Sequence, residues 1–496
     1  MIIFGVGLSV LVVMLIGLIA SRKVEGDSAR YLVAGRTLGI PLVAAGLMGQ
    51  AVDSNATLGN TDLTFGGGFW AGATLPLGLA LCLLLTGAFF AKPMHRAKLT
   101  TLPDFYRRRF GRGVEVTSSY LMIGAYVILL AGNLVAGGFL FERFLGTSFT
   151  AGVLLIVGIV LTYTITGGMF ADAYTAVVQL AITLTGTAAL FLWVAVRYGI
   201  SIPDGMGPFD WAQLTSADSG ATINWATLVA LGIGDIVAID FMQRIFSARS
   251  PEIAQRACYL GAAGTVLVGV PFSLVALSSI DILGASAGDG PALFTLLDDV
   301  APTGLAVLVL SAIVAASCNT ANGAILGTGA VAARNIAGIR ATEPLTPGGP
   351  DPLLRATRLA TLPVVALAVL LALRVPQTGI LLTLAFDVML AGLVVPFVLG
   401  LFWRRGTAAA ATAAIVVGSA VRLTLFVLTP TIYGADNNLL HVSNDVFTAE
   451  FDGWPTFLAA AASLLAYLVV ALLRRPGPLA APAPEERGTR PEPAAL

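Results

Sequence analysis

The chain reads as an all-α integral membrane protein of about thirteen transmembrane helices, built as a 5+5 inverted repeat with two helices broken near the bilayer midplane. Three observations predict this. Of 496 residues, 57% are hydrophobic and 11% charged, with a mean hydropathy of +0.87, whereas a soluble domain carries about a quarter charged residues. Apolar stretches recur from end to end at the length of about 20 residues that crosses a hydrocarbon core. Two of those stretches carry helix-breaking polar residues at mid-span, an odd number of helices apart.

The apolar runs and their breaks place helices at 2–21, 40–60, 66–91, 114–145, 149–166, 172–199, 224–247, 252–282, 303–336, 354–375, 377–402, 406–429 and 454–474. The first run has no basic residue before it and is followed by Arg22, Lys23, Arg30 and Arg36. A cleavable leader has the opposite polarity, so this is a retained helix with its N-terminus outside. Basic residues check the count. Lys92, Arg96, Lys98, Arg107, Arg108, Arg109 and Arg112 share one loop, Arg244, Arg249 and Arg256 cluster about another, and Arg334, Arg340, Arg355 and Arg358 flank a third. An outside start puts all three in the cytoplasm. The loops 200–223, 283–302 and 430–453 hold Asp or Glu but no Lys or Arg, and fall outside.

The expected organisation follows from these runs. Residues 1–39 are a first helix and loop, 40–199 the first five-helix repeat, 200–223 an external loop, 224–402 the second repeat, and 403–475 two additional helices. The tail 476–496 is rich in Pro, Ala and charge and is expected to be a disordered cytoplasmic end. The formal net charge is zero, which gives no electrostatic reason to bind nucleic acid. Cys82, Cys258 and Cys318 fall inside apolar runs and read as small core residues, with no disulfide or thiol-metal pattern.

The second helix reads "GQAVDSNATLGN" at 49–60 and the seventh reads "ATLVALGIGDIVAIDFMQRIF" at 226–246. Lipid supplies no hydrogen-bonding partner at that depth, so irregular backbone is tolerated only around an enclosed cavity. The five-helix units holding these breaks must cross in opposite directions, which points to inverted repeats around a midplane site. In the ninth helix, "VAASCNTANGAILGT" at 314–328 gathers Ser317, Asn319, Thr320 and Asn322. Hydroxyl, amide and freed carbonyl oxygens suit a hard cation such as sodium. An isolated small polar residue would be read as helix packing, but a cluster facing two broken helices favours an ion site. Asp53, Asp235 and Asp387 lie near mid-span, and each buried carboxylate needs a partner, a proton or water. Asp240 is expected either to pair with Arg244, the one basic residue expected near these acids, or to act as a cap.

Five motifs carry a family resemblance: "YLVAGRTLG" at 31–39, "TLPDFYRRRFG" at 101–111, "YTITGGMFADAYTAVVQ" at 163–179, "GDIVAIDFMQRIFSARS" at 234–250 and "SAIVAASCNTANGAIL" at 311–326. In order and spacing they resemble the sodium:solute symporter family over nearly the whole chain. The resemblance implies a leucine-transporter-like fold that couples inward sodium movement to uptake of an organic solute by alternating access. Carried over, its sodium site would use carbonyls of Ala51, Ser54 and Ala316 with the side chains of Asn319 and Thr320. Asp53 falls where proline-transporting members have a sodium-related aspartate, allowing a two-residue insertion. The sequence departs from the family pattern at Asn319, where Ser or Thr is usual, and at Ala176, where an aspartate is usual, with Asp172 one turn earlier. The aromatic that some members carry on the seventh helix is replaced by the neighbourhood of Leu231 and Asp235, which does not support proline or sugar as the solute.

The expected function is therefore sodium-coupled symport of a small organic solute, cationic or zwitterionic if Asp53 and Asp235 face each other across the breaks. Asn55 and Leu231 are further substrate-site candidates, and Asp172 and Asp387 candidates for an ion pathway. Sodium is the co-transported ion, the partners are the solute and the plasma-membrane bilayer, the C-terminus is cytoplasmic, and no metal beyond sodium or obligate protein partner is inferred. Two other classes compete. "GIGD" at 232–235 with "PAL" at 291–293 matches intramembrane aspartyl proteases, but the second aspartate that would share a proton is not on the preceding helix at that depth. An ion channel would repeat a pore motif about an axis, which this chain does not. "GASAG" at 284–288 lacks the strand that a nucleophile elbow requires, and "GTGAVA" at 327–332 sits inside a membrane helix.

Overall fold

The structure, a computed structural model, describes residues 2–284, 290–342, 351–377, 379–438 and 440–473, with backbone alone at 2, 3 and 55. The expected tail, most of "GASAG" and the Asn55 side chain lie outside the described residues. The helices that matter are α1 (Ile2–Ala20), α2 (Ile40–Ala51), α3 (Asn60–Gly67), α4 (Phe69–Leu85), α5 (Pro103–Phe110), α6 (Arg112–Leu145), α7 (Phe149–Arg197), α8 (Ala221–Val229), α9 (Ile239–Ser247), α10 (Pro251–Leu283), α11 (Thr303–Val331), α12 (Pro352–Arg374), α13 (Ile380–Met389), α14 (Val395–Phe402), α15 (Ala408–Leu428) and α16 (Trp454–Leu473). The strands among the described residues are the pair Thr431–Ile432 and Ala435–Asp436, in an outer loop.

By length and composition, ten helices can cross a membrane, or up to eleven with the bent pair Ala221–Val237 and Ile239–Ser247 taken as one span. This is short of thirteen, for two physical reasons. The second helix is interrupted after Ala51, leaving a 12-residue segment too short to cross a hydrocarbon core by itself. The fifth and sixth expected helices run together as the 49-residue α7. That helix reverses at Gly168, whose φ of 50° and ψ of −139° are open to glycine and strained for other residues. Its contacts track the reversal along α11: Tyr163 Oη donates to the Cys318 carbonyl at 2.8 Å, Asn322 Nδ2 to Asp172 Oδ1 at 2.9 Å, and Gly186 then lies back against Ala312 and Leu308. Elsewhere the expected bounds hold to a few residues, except that the second helix resumes and runs on to Gly67, which delays α4 to Phe69.

The loops segregate as alternate crossings require. Arg36 donates to the Leu99 and Phe246 carbonyls, Arg340 binds Asp104 and Glu115, and Arg109 donates to the Gly400 carbonyl, so the basic loops meet at one end of the bundle. At the opposite end, Phe69 N donates to the Met206 carbonyl and Trp70 Nε1 to that of Pro208. Between them runs α11, buried without interruption from Val309 to Val331. A helix enclosed on every face belongs at the centre of a bundle, and α2, α7 and α9 pack around it.

Candidate functional site at the two broken helices

The break in the second helix occurs where side chains compete with backbone for hydrogen bonds. Val52 leaves helical geometry at φ −100° and ψ 68°. The next turn is widened over Asn55–Gly59 before α3 begins. Asp53 caps this restart: its Oδ1 accepts from Ala56 N at 2.6 Å, while Thr57 Oγ1 donates to the carbonyls of Asp53 and Ser54. The seventh helix passes through a widened turn at Ala230–Gly234 and a tight turn at Asp235–Val237, then becomes extended at Ala238 and bends by 46° into α9.

Of the expected sodium residues, Asn319 and Thr320 of the ninth helix lie against Gly49 and Gln50, the residues just before Ala51 on the second. Thr320 Oγ1 donates to the Gly49 carbonyl at 3.4 Å, and Gln50 Nε2 to the Asn319 carbonyl at 2.8 Å. Approach is so close that a Cβ on Gly49 would stand 1.9 Å from Asn319 Nδ2. Asn319 is buried and neither its Oδ1 nor its Nδ2 has a hydrogen-bond partner; Gln50 Oε1 is in the same condition. Buried unpartnered oxygens beside backbone that has left its helix are the donor chemistry a sodium ion needs. Ala51, Ser54 and Ala316 are buried on the same two segments.

Asn133, on α6, was not singled out from the sequence, yet it ties this region together. Its Nδ2 donates to Asp53 Oδ2 at 3.0 Å, its Oδ1 accepts from Ser54 Oγ at 2.9 Å, and its carbonyl accepts from Ser317 Oγ at 2.9 Å. The signal for it was present as one amide in the apolar run "ILLAGNLVAGG".

The acidic residues divide. Asp235 is buried, with Leu231 one turn away, and neither of its carboxylate oxygens accepts a hydrogen bond from an N–H or O–H donor. Its electrostatic neighbours are the Asp240 and Asp53 carboxylates and the Cys82 thiol, a weak donor. For Asp240 the pairing expectation fails and the capping one fits: its carboxylate accepts from Tyr126 Oη and from Phe241 N at the start of α9, while Arg244 Nη1 reaches only its carbonyl. The ion pair of Arg244 is with Asp172, which Asn322 also binds. Both members are fully enclosed, and this pair sits beside Gln50 and Gly323, toward the basic end from Asn319. Asp387 forms a buried ion pair with Arg422 of α15, so Arg244 is not the one basic side chain close to a mid-span acid.

A family model described as the sodium:solute symporter family matches residues 31–418. The chain belongs to the sodium:solute symporter family. Among curated relatives, the high affinity choline transporter 1 of Homo sapiens is 25% identical over 66% of this chain and 60% of its own length. The osmoregulated proline transporter OpuE of Bacillus subtilis (strain 168) is 26% identical over 85% of this chain and 88% of its own. The chain thus spans 45–60% of the length of the choline transporters it matches. A solved Na+-coupled sialic acid symporter, in its substrate-bound outward-open state, superimposes with a TM-score of 0.75 at 16% identity, covering 97% of this chain and 99% of that one. MhsT in complex with L-phenylalanine gives 0.55 at 13% identity over 87% and 98%. At these identities the structures speak for the fold, which is the leucine-transporter-like inverted repeat in a multi-pass membrane protein. Membership in this family does not favour the protease and channel readings.

Proposed function

We propose that the chain is a sodium-coupled symporter that carries a small cationic or zwitterionic organic solute across the plasma membrane by alternating access. The observation that carries the solute class is the charge balance at the breaks. Asp53, Asp172, Asp235 and Asp240 are buried together with Arg244 as the guanidinium among them. A buried carboxylate excess in low dielectric demands positive charge. One sodium held by Ala51, Ser54, Ala316, Asn319 and Thr320 supplies part of it, and a positively charged solute head at Asp235 supplies more. Residues 40–199 and 224–402 would then be the two repeats that rock about this site, with the basic loops, and the chain's C-terminus, on the cytoplasmic side.

The test is uptake into proteoliposomes under an inward sodium gradient, using labelled amines, amino acids and carboxylates. Accumulation of amines or zwitterions that collapses when sodium is replaced by choline-free potassium buffer supports the proposal. Accumulation confined to carboxylates overturns the solute class, and accumulation indifferent to sodium overturns the coupling.

A further inference from the structure

The two breaks differ in what their carboxylates are free to do. Asp53 is engaged by Ala56 N and Asn133 Nδ2. Asp235 meets no N–H or O–H donor at either oxygen, the Cys82 thiol being the weak donor beside it, although it is enclosed to 1% exposure. A desolvated carboxylate without such a donor is stabilised most by a cation that also donates hydrogen bonds, because charge-assisted bonds are the strong ones.

The alternative way to hold a cation is an aromatic cage, the arrangement that recognises quaternary ammonium groups. Neither broken segment supplies one. Residues 48–64 contain no Phe, Tyr or Trp, and 221–240 contain only Trp225, which lies at the outer end of α8 and is 45% exposed. The buried rings nearby come from other helices: Tyr126 of α6, whose hydroxyl is held by Asp240, and Phe386 of α13, whose backbone abuts Gly234.

Resting on the cationic-solute reading above, we infer that the solute head at Asp235 is an ammonium or guanidinium that carries N–H donors, and that fully methylated ammonium compounds are rejected. Specificity therefore diverges from the quaternary amine named for the choline-transporting relatives. A quaternary head brings charge but no donor, and leaves both Asp235 oxygens as they are.

The experiment is sodium-dependent thermal stabilisation of the purified full chain by ethanolamine, N-methylethanolamine, N,N-dimethylethanolamine and choline. Ethylene glycol and 3,3-dimethylbutanol are the uncharged counterparts of the two ends of the series. The half-saturating concentration should rise with each added methyl, by at least tenfold from ethanolamine to choline. Asp235→Asn should flatten the series, whereas Asp235→Glu should keep its order, which guards against a variant that merely misfolds. Choline binding as well as ethanolamine, with both uncharged compounds silent, overturns the inference and spares the cationic reading. Ethylene glycol matching ethanolamine, or no response to any member of the series, overturns both.

Discussion

Asn133 Nδ2 donates to Asp53 Oδ2 at 3.0 Å, joining α6 to the break in the second helix. The same amide accepts from Ser54 Oγ, so one side chain fixes two consecutive residues of the irregular segment. Its own carbonyl holds Ser317, on the helix that supplies the other proposed sodium ligands. Asn133→Leu preserves much of the volume and removes the amide, leaving buried polar atoms of Asp53 and Ser54 short of a partner. Orphaned buried groups cost about 1–3 kcal/mol, and if that cost falls on the ion-binding geometry, sodium affinity drops by about 5- to 150-fold. Sodium titration of uptake, or of stabilisation in detergent, reads this directly; an unchanged half-saturating concentration would detach Asn133 from the ion site.

Sodium coordination by the ninth helix is tested one residue further along. Thr320→Ala removes a hydroxyl that now leans on the Gly49 carbonyl, and Asn319→Ala removes an unpartnered amide. Each should raise the sodium concentration for half-maximal transport, by roughly tenfold if about 1.4 kcal/mol of ligation is lost. Asn319→Ser keeps an oxygen at a shorter reach and should fall between wild type and Asn319→Ala. Gly49→Ala should behave like the loss of Asn319, because its Cβ would come within 1.9 Å of Nδ2 and displace the amide.

Much of this was legible in the sequence, and the limits have physical causes. The break at 51–54 could be read because Asp, Ser and Asn compete locally with backbone, and the closeness of α2 and α11 followed from polar clusters that each need the other. The expected thirteen crossings exceed the ten or eleven that helix length supports, in part because a helix turned at Gly168 keeps helical hydrogen bonding on both sides and counts once by length. Ion-pair partners were the hardest. Arg244 and Asp240 are one helical turn apart, which invited pairing, but Asp172 reaches the guanidinium from another helix. Arg422 gave no local signal, being 35 positions from Asp387 in sequence. Sequence spacing reports neighbours on one helix and is silent about which faces meet.

The basic end of the bundle is fastened by buried acids. Asp104, at the start of α5, accepts from Arg334, Arg340 and Asn335, and Glu115 takes Arg340 and Asn335 on its other side. Burial pushes the Asp104 carboxyl up, but the Arg334 and Arg340 guanidiniums outweigh it and hold it below the ordinary value of 3.8. A carboxyl depressed on folding stabilises the protein fully above its unfolded pKa, and that stabilisation is lost as pH falls through the folded one. Asp104→Asn should therefore cost stability near neutrality, of the order of 3 kcal/mol for a broken buried ion pair. The gap between wild type and variant should close as pH drops below about 4. Thermal unfolding in detergent from pH 3 to 7 measures it; a gap independent of pH would assign the loss to packing.

Arg244 and Asp172 are 1% and 0% exposed, and their ion pair lies beside Gln50, toward the basic end from the proposed sodium ligands. A pair this deeply enclosed is costly to half-remove and much less costly to replace whole, because the desolvation of each charge is offset by the other. Arg244→Met should lower stability by about 3–5 kcal/mol, since it leaves the Asp172 carboxylate with Asn322 as its remaining donor. Asp172→Asn should cost a comparable amount by stranding the guanidinium. The double variant should recover most of either loss, giving a coupling energy of about 2 kcal/mol or more in a double-mutant cycle on detergent unfolding. Transport separates structure from pathway in the same proteins. If Asp172 also receives sodium on its way to the basic end, the double variant will fold and bind sodium normally yet release it slowly, and steady-state uptake will fall while sodium-dependent stabilisation does not. Additive losses in the cycle would show that the two charges are not each other's principal partner.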